Sequence, residues 1–539
     1  MKRAGAAWGL VAGACVTAPL IAIFFIANRL AGLPLVPFDV FDWLTRILPG
    51  PILTFGIDSI VKLVHAFHMG ATATAAKAAE QTLAIAITAV AGIVAGAVFF
   101  ALRRTHRSHS FAPGIILGAL AGVAFAAISH SVNHSAAASP LASFVWILAM
   151  FVAWGIALNW IYLRLSGTST TNAVDDENVV KLNRRQFMVR VGGAAAVITV
   201  AGAALGELAG GTRTQKQTKG ARWSASHPLP NADAAVKPVF GTRPEYTPLE
   251  QHYRIDIDTM PPVIHESDWK LKVGGLVEKP LELTLADLRD KYQPTDQFVT
   301  LSCISNPVGG DLTGTTRWTG VSLQRLLPEL ALKKNATHLK ITSADGFYES
   351  VALEAIRSDA RIMLAYAWDG VPLLAQHGFP LRIYIPDLYG MKQPKWITAV
   401  EAMDHAEPGY WVVRDWDARA QMRSTSVIDA VDKKNLVQRN GQTLVPIGGI
   451  AHAGARGISK VEVSVDDGPW QPAQLRTPMS GLTWVIWRYE WPFQAGRHTI
   501  AVRCFDGNGA AQMVEVNPPH PSGATGIYRV TAKIETTER

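Results

Sequence analysis

Thr300-Leu301-Ser302-Cys303-Ile304-Ser305-Asn306-Pro307-Val308-Gly309-Gly310 is the stretch on which the reading of this chain turns. A β-like run ends at Cys303, and the chain then opens into a Pro- and Gly-containing loop. The 539 residues hold three cysteines, Cys15, Cys303 and Cys504. They stand far apart in unlike contexts, so neither a disulfide framework nor a CxxC metal motif is on offer. A lone cysteine at a strand-to-loop junction is either a buried small hydrophobe or a thiolate held out to a soft metal or a substrate.

The downstream sequence favours the second reading. Arg317-Trp318-Thr319-Gly320-Val321 follows, then His338 to Ser343, then Asp345-Gly346-Phe347-Tyr348. His377-Gly378-Phe379-Pro380-Leu381-Arg382 and Tyr389-Gly390-Met391-Lys392 come next, with Lys395-Trp396 behind them. In this order and spacing, over about residues 246–535, the chain resembles the sulfite oxidase family of molybdopterin-dependent oxidoreductases, in a membrane-anchored bacterial form. The resemblance implies an α/β (α+β) cofactor-binding domain. It also implies that Cys303 binds molybdenum directly, beside the two sulfurs of one molybdopterin. A high-valent soft metal prefers thiolate. With an organic dithiolene supplying the other sulfurs, one cysteine is enough.

Molybdopterin is a phosphorylated, hydrogen-bonding pterin. Arg382 offers a planar fork for phosphate oxygens and Lys392 a point charge. Gly390 allows backbone N–H groups to approach an anion closely. The resemblance adds Tyr253, Arg254, Ser343, His377 and Met391 as cofactor contacts. It assigns Arg254 and Tyr348 a further role at the substrate, the phenol orienting an oxyanion or relaying a proton. The ordinary alternatives are solvated surface cations and a loop aromatic packed on its own domain.

The family pattern is not complete. The Arg-Asn-His expected near the domain start reads Arg254-Ile255-Asp256, and the arginine expected after Asn306 is replaced by Pro307-Val308. A dianion needs several cations to offset its desolvation. The motif therefore speaks more for the cofactor than for sulfite, and a sulfoxide such as oxidised methionine fits about as well. From another class, the rival is a non-catalytic membrane receptor or scaffold that keeps the fold. An active enzyme would exchange electrons with a membrane quinone, a cytochrome or another haem protein.

Hydrophobic residues make up 49 % of the chain, and the net charge is +8. No basic stripe interleaved with aromatics appears, which argues against nucleic acid. Four apolar stretches, about 6–26, 82–101, 111–128 and 144–163, are long enough to cross a bilayer, and 191–206 makes a shorter fifth. The stretch 47–64 is interrupted by Pro49, Pro51, Asp58 and Lys62 and reads as interfacial. Basic residues flank every second connection, which predicts a multi-pass cell-membrane protein with a cytoplasmic N-terminus and residues 211–539 on the periplasmic side. Asn183-Arg184-Arg185-Gln186-Phe187-Met188 resembles a twin-arginine export signal left uncleaved as an anchor. A folded, pterin-loaded enzyme requires such a route. Haem in the membrane half would have to use His65, His68, His130 or His134, which sit at span ends where an interfacial histidine is ordinary; the reading favours none there.

The domains expected are 1–210, a transmembrane helical region; 211–245, a linker; 246–418, the cofactor domain; and 419–535, a β-sandwich. The last is read from short alternating runs separated by Asp466-Asp467-Gly468-Pro469 and Asp506-Gly507-Asn508-Gly509, with Cys504 pointing into its core. By resemblance it is immunoglobulin-like, carries a signature hairpin at 461–470 and mediates a homodimer.

Overall fold

The computed structural model describes residues 4–52, 55–56, 59, 71–104, 110–133, 138–166, 184–213 and 221–535. It divides into two compact units. One comprises 1–48, 76–217 and 256–263, and the other 49–75, 218–255 and 264–539.

Helices make up the first unit: α1 (Ala6–Ala31), α2 (Val36–Ile47), α3 (Thr72–Arg103), α4 (Ala112–Val132), α5 (Pro140–Ser166) and α6 (Arg184–Arg213). Five of them, α1, α3, α4, α5 and the Arg185–Gly206 part of α6, are long and apolar enough to cross a membrane. Lipid supplies no hydrophobic drive between such helices, so contact depends on backbones coming close. Glycines permit it here. A Cβ on Gly9 of α1 would stand 2.5 Å from the Gly96 carbonyl oxygen of α3, and one on Gly114 of α4 would stand 2.4 Å from that of Gly155 on α5.

Helix α2 was not foreseen from hydropathy. It is short, with Pro37 in its first turn, where a missing N–H costs nothing. Its buried Asp39 accepts from Ser129 Oγ at 2.6 Å, and Asp42 accepts from the Thr259 backbone N–H at 2.9 Å. Half of 47–64 lies outside the described residues, as do His65, His68 and His134 and the start of the twin-arginine stretch.

Four sheets build the second unit. The first runs Leu281–Leu283, Leu271–Gly275, Ile397–Met403, His338–Ser343, Tyr348–Ala352, with one parallel pair between Leu271–Gly275 and Ile397–Met403. The second runs Thr295–Ser302, Thr313–Ser322, Met363–Trp368, Val371–Pro372, with Arg382–Tyr384 added to Met363–Trp368. One apolar core joins both sheets, with Leu271, Ile341, Val299, Trp318, Leu364 and Ile397 buried in it.

Beyond residue 424 lie two antiparallel sheets, built around Thr425–Val431, Gln442–His452 and Val485–Pro492, and around Ile458–Val465, Gly496–Asp506 and Tyr528–Ile534. Their inner faces share Ile428, Val445, Trp487, Val461, Val502 and Cys504. Strand alternation puts Cys504 in this core, as expected. The hairpin near 461–470 closes through Asp466 and Asp467, both at positive φ (52° and 55°). That is the type I′ geometry whose twist matches paired strands, and Gly468 N donates to the Val465 carbonyl at 3.0 Å.

Residues 221–245, read from composition as linker, are folded onto this unit. Trp223 N donates to the Asp369 carbonyl at 2.8 Å. Buried Arg476 pairs with Glu245 at 2.9 Å and donates to the carbonyls of Asn231 and Val236 at 2.8 and 2.9 Å. A polar, aperiodic stretch gave no sign that one distant arginine would collect its carbonyls.

His452 ends a strand of the C-terminal sheets, fully buried, and burial holds its imidazole down at about 3. Between pH 6.5 and 3 the unfolded chain gains a proton that the folded one refuses, so this group costs stability as pH falls through that window, at up to about 1.4 kcal/mol per pH unit. Denaturant unfolding of His452→Gln between pH 7 and 4.5 should show a shallower loss than the parent; equal slopes would contradict this assignment.

Candidate functional site

Cys303 follows directly on the Thr295–Ser302 strand, whose last residue pairs with Thr313. Its N–H still donates to the Leu312 carbonyl at 2.9 Å, so the ladder runs one residue further. Asn306 then shapes the loop. Its N–H donates to the Cys303 carbonyl at 3.1 Å, and its side-chain oxygen accepts from Leu312 N at 2.9 Å. The Cys-x-x-Asn spacing is thus a structural device that fixes where the thiol emerges. Cys303 is buried beside Leu312, Ala73, Tyr253 and Ile255. Burial pushes the thiol up, while the Ser305 backbone and hydroxyl and the charge of Lys395 pull it down. Among the described residues no three His, Cys, Asp or Glu side chains are placed to share a metal ion, so the protein's own offer at this point is one sulfur.

A second group of predicted residues gathers around Arg382. Its guanidinium is buried between the rings of Trp318 and Trp368, at 4.6 and 4.8 Å from their centroids. It donates to the His377 carbonyl at 3.0 Å, its Nε has no partner, and no carboxylate among the described residues pairs with it. Burial pulls it down to about 9. His377 is also buried, and burial followed by the charges of His252, Lys395, Arg382 and Arg254 keeps it neutral. Gly378, at φ +110°, lets Lys395 and Arg382 close in on it. Tyr253 feels both Cys303 and Arg382, and a side chain at Gly390 would meet its hydroxyl at 3.1 Å. Cys303, Tyr253, Arg254, His377, Arg382 and Gly390 therefore belong to one neighbourhood.

Other predicted residues serve elsewhere or at the edge. Lys392 Nζ pairs with the buried carboxylate of Glu349 at 2.7 Å. Met391 packs in an apolar cluster with Ile304 and Tyr389. Tyr348 lies against Tyr410, with Lys340 Nζ 5.0 Å from its ring centroid. Among the described residues no hydrogen bond or ring contact links it to Cys303. Ser343 is buried with its hydroxyl unpartnered.

Lys395 and His252 were missed as site residues. Lys395 donates to the Ile255 carbonyl at 3.0 Å and bears electrostatically on Cys303, His252 and His377. Its only sequence signal was its place beside Trp396 in the quoted motif. His252 stacks near Trp368 and His377, with centroids at 4.6 and 5.6 Å, and burial holds it down at about 3.

The residues present fit a large polyanionic cofactor. A buried guanidinium without a carboxylate is costly. Arg254, Lys395 and Arg382 bear together on one neutral histidine, and of the three Arg382 is buried with no carboxylate partner among the described residues. The unpartnered Arg382 Nε, Ser343 Oγ and Trp368 Nε1 are donors in want of an acceptor. A phosphate and a polar ring would complete such a set, and Cys303, which with Arg382 bears on Tyr253, offers a single thiol for a soft metal.

Residues 258–411 match the oxidoreductase molybdopterin binding domain family, and residues 417–517 match the Mo-co oxidoreductase dimerisation domain family. A sulfite oxidase of Arabidopsis thaliana is 28 % identical over 269 residues, which are 41 % of this chain and 68 % of that protein. A sulfite oxidase of Gallus gallus is 24 % identical over 302 residues, covering 48 % of this chain and 66 % of its own length. The crystal structure of the sulfane dehydrogenase SoxCD from Paracoccus pantotrophus aligns with a TM-score of 0.47 and 22 % identity, over 56 % of this chain and 85 % of that one.

Lys392 and Glu349 give a direct test of the ion pair. Removing one partner strands a buried charge at a cost of about 3 kcal/mol. Burial already holds Glu349 above its ordinary value with Lys392 opposing it; in Lys392→Met that opposition is gone, the carboxyl rises further, and the loss deepens as pH rises. Urea unfolding should show a larger deficit at pH 8 than at pH 5; a deficit independent of pH would refute the pairing.

Proposed function

The catalytic half of this chain belongs to the sulfite oxidase family of molybdopterin-dependent oxidoreductases, and we propose that it carries out oxo transfer on a small extracytoplasmic substrate while anchored in the cell membrane. The observation that carries this reading is a lone thiol at a strand end and a buried guanidinium without a carboxylate among the described residues, both bearing on Tyr253.

Cys303 would hold the metal. Arg382 would take the cofactor phosphate, and His377, Ser343, Tyr253 and the Gly390–Lys392 turn would seat the pterin, with Lys392 held in place by Glu349. When bound, molybdenum in its dithiolene supplies oxo transfer and a two-electron reservoir. The chain's own work is to present the thiol at the strand end, where burial pushes it up and the Ser305 donors and the Lys395 charge partly oppose that, and to keep His252 and His377 neutral. Arg254 would draw the anionic end of the substrate. Tyr348 would orient it from the rim.

Two readings of substrate remain in play, sulfite and a sulfoxide. Val308 stands where a second arginine would serve a dianion, and Asp256, tied to Lys77 at 3.2 Å, stands where the family pattern has a histidine. Both points favour a neutral sulfoxide, reduced with electrons delivered by a quinone or haem partner. The five apolar helices support multi-pass anchoring, and the distribution of lysine and arginine supports a cytoplasmic N-terminus with twin-arginine export. The C-terminal pair of sheets fits an immunoglobulin-like module, and the dimerisation-family match supports a homodimer through it.

Elemental analysis decides the cofactor. About one molybdenum per chain is expected in the parent and almost none in Cys303→Ser, with unchanged unfolding behaviour in the metal-free forms. No molybdenum after growth with ample molybdate would favour the scaffold reading. A panel of sulfite, methionine sulfoxide and other oxo donors with an artificial electron carrier then sorts the substrates. Protease added to spheroplasts should trim 211–539, and full protection of that region would overturn the orientation.

A further inference from the structure

Close glycine contacts in the helical unit fix which helix ends lie together. Gly9 of α1 meets Gly96 of α3, and a Cβ on Gly13 would stand 2.9 Å from Ile93 Cα, so these two helices run antiparallel. Helices α4 and α5 are antiparallel as well, because Gly114 meets Gly155 and Gly122 meets Leu148. Helix α6 runs parallel to α1: Gly192 faces Cys15, and Gly202 faces Ala22. Trp154 of α5 donates to Thr17 of α1 at 3.0 Å, near the middle of both. The starts of α1, α4 and α6 and the ends of α3 and α5 therefore share one end of the bundle.

That end is basic. Arg103 and Arg104 stand at the end of α3, Arg164 at the end of α5, and Arg185 and Arg190 in the first two turns of α6. No Asp or Glu occurs in 4–13, 96–104, 110–116, 155–166 or 184–192. The carboxylates of this unit gather at the opposite end, where Asp39 meets Ser129, and Asp256 and Asp258 meet Lys77 and Arg46. Aromatic rings tie the basic helix ends together. The Arg103 guanidinium lies 5.2 Å from the Tyr162 ring centroid and that of Arg164 lies 5.9 Å from Trp160, whose ring is 5.5 Å from Phe187 of α6. Trp160, Arg164, Arg185 and Arg190 are exposed, and the outer side of α6 continues with exposed Val189, Val197 and Val200.

A basic flank by itself only orients a helix. Here arginines from three helices converge around an exposed tryptophan, above apolar surface. The guanidinium fork matches phosphate oxygens, tryptophan suits the interfacial layer, and basic clusters at that depth attract anionic headgroups. We propose that this end of the helical unit binds an anionic phospholipid, with Arg164, Arg185 and Arg190 on the headgroup phosphate, Trp160 at the glycerol level and an acyl chain along α6. The proposal rests on the reading that these helices cross a membrane, not on which side this end faces.

Native mass spectrometry of the full chain released from detergent tests it, with phosphatidylglycerol and phosphatidylcholine of identical acyl chains added in separate arms. One retained phosphatidylglycerol per chain is expected at concentrations where phosphatidylcholine leaves none. The triple variant Arg164→Gln, Arg185→Gln, Arg190→Gln should weaken retention at least about 10-fold, because each arginine near the headgroup adds to the attraction. Arg29→Gln, at the other end of α1, should leave it unchanged. Equal retention of the two lipids, parental retention in the triple variant, a like loss in Arg29→Gln, or displacement by inorganic phosphate at equal concentration would each overturn the proposal. Retention of neither lipid, by a chain that stays in solution without detergent, would overturn the membrane reading with it. If the triple variant does not melt like the parent, Arg164→Gln alone decides: undiminished retention there rejects the site.

Discussion

An arginine sandwiched between two tryptophans with no carboxylate to answer it is the constraint around which the cofactor domain is arranged. Desolvating a guanidinium costs several kcal/mol unless a counter-charge and hydrogen bonds replace the lost water. The faces of Trp318 and Trp368 return part of that through cation–π attraction, of order 1–2 kcal/mol when desolvated. The remainder is left open. A structure that tolerates this has reserved the place for an anion, and everything nearby is consistent with that. The histidines are kept neutral by burial, the neighbouring cations are lysine and arginine, and Gly378 and Gly390 clear the side-chain volume that would fill the space.

The same chain shows what arginines look like when their charge is settled internally. Arg476 is as deeply buried as Arg382, yet it holds Glu245 and several backbone carbonyls and pins the 221–245 segment in place. Arg243 is gripped by Asp429, and Arg456 reaches both Asp387 and Asp506. These are structural clasps. The contrast rests on counting donors against acceptors and needs no appeal to relatives.

Much of the architecture was legible because it follows from period and length. The apolar spans of α1, α3, α4 and α5 announce themselves over some 20 residues, and the structure extends α1 and α4 at the C-terminal end and α3 and α5 at both ends. The 461–470 hairpin was legible through Asp466-Asp467-Gly468, whose backbone preference is local. The site was half legible. Cys303, Arg382 and His377 stood in motifs and do come together. Lys392 stood in a motif as well, but its partner Glu349 follows Tyr348 on another strand, and only the sheet register reveals the pair. Helix α2 escaped because 12 residues carrying two buried aspartates do not look apolar. Its stability comes from Ser129 and Thr259, both distant in sequence. Likewise 221–245 looked like linker because its partner, Arg476, lies more than 200 residues further on.

Asn306 shows how sequence spacing and chemistry meet. It contributes no charge and titrates nothing. By closing the loop from Cys303 to Leu312 it fixes the direction in which one sulfur points. A thiol one residue earlier would take the place of the Ser302 hydroxyl against Thr313, and one residue later, at Ile304, it would enter the apolar cluster of Tyr389 and Met391. The alternation of a strand allows a single correct position, and the asparagine turn holds that position at the strand's end. The lone cysteine therefore gains its meaning from register: the same residue type at 504, buried by the same alternation in the C-terminal sheets, is simply part of a core.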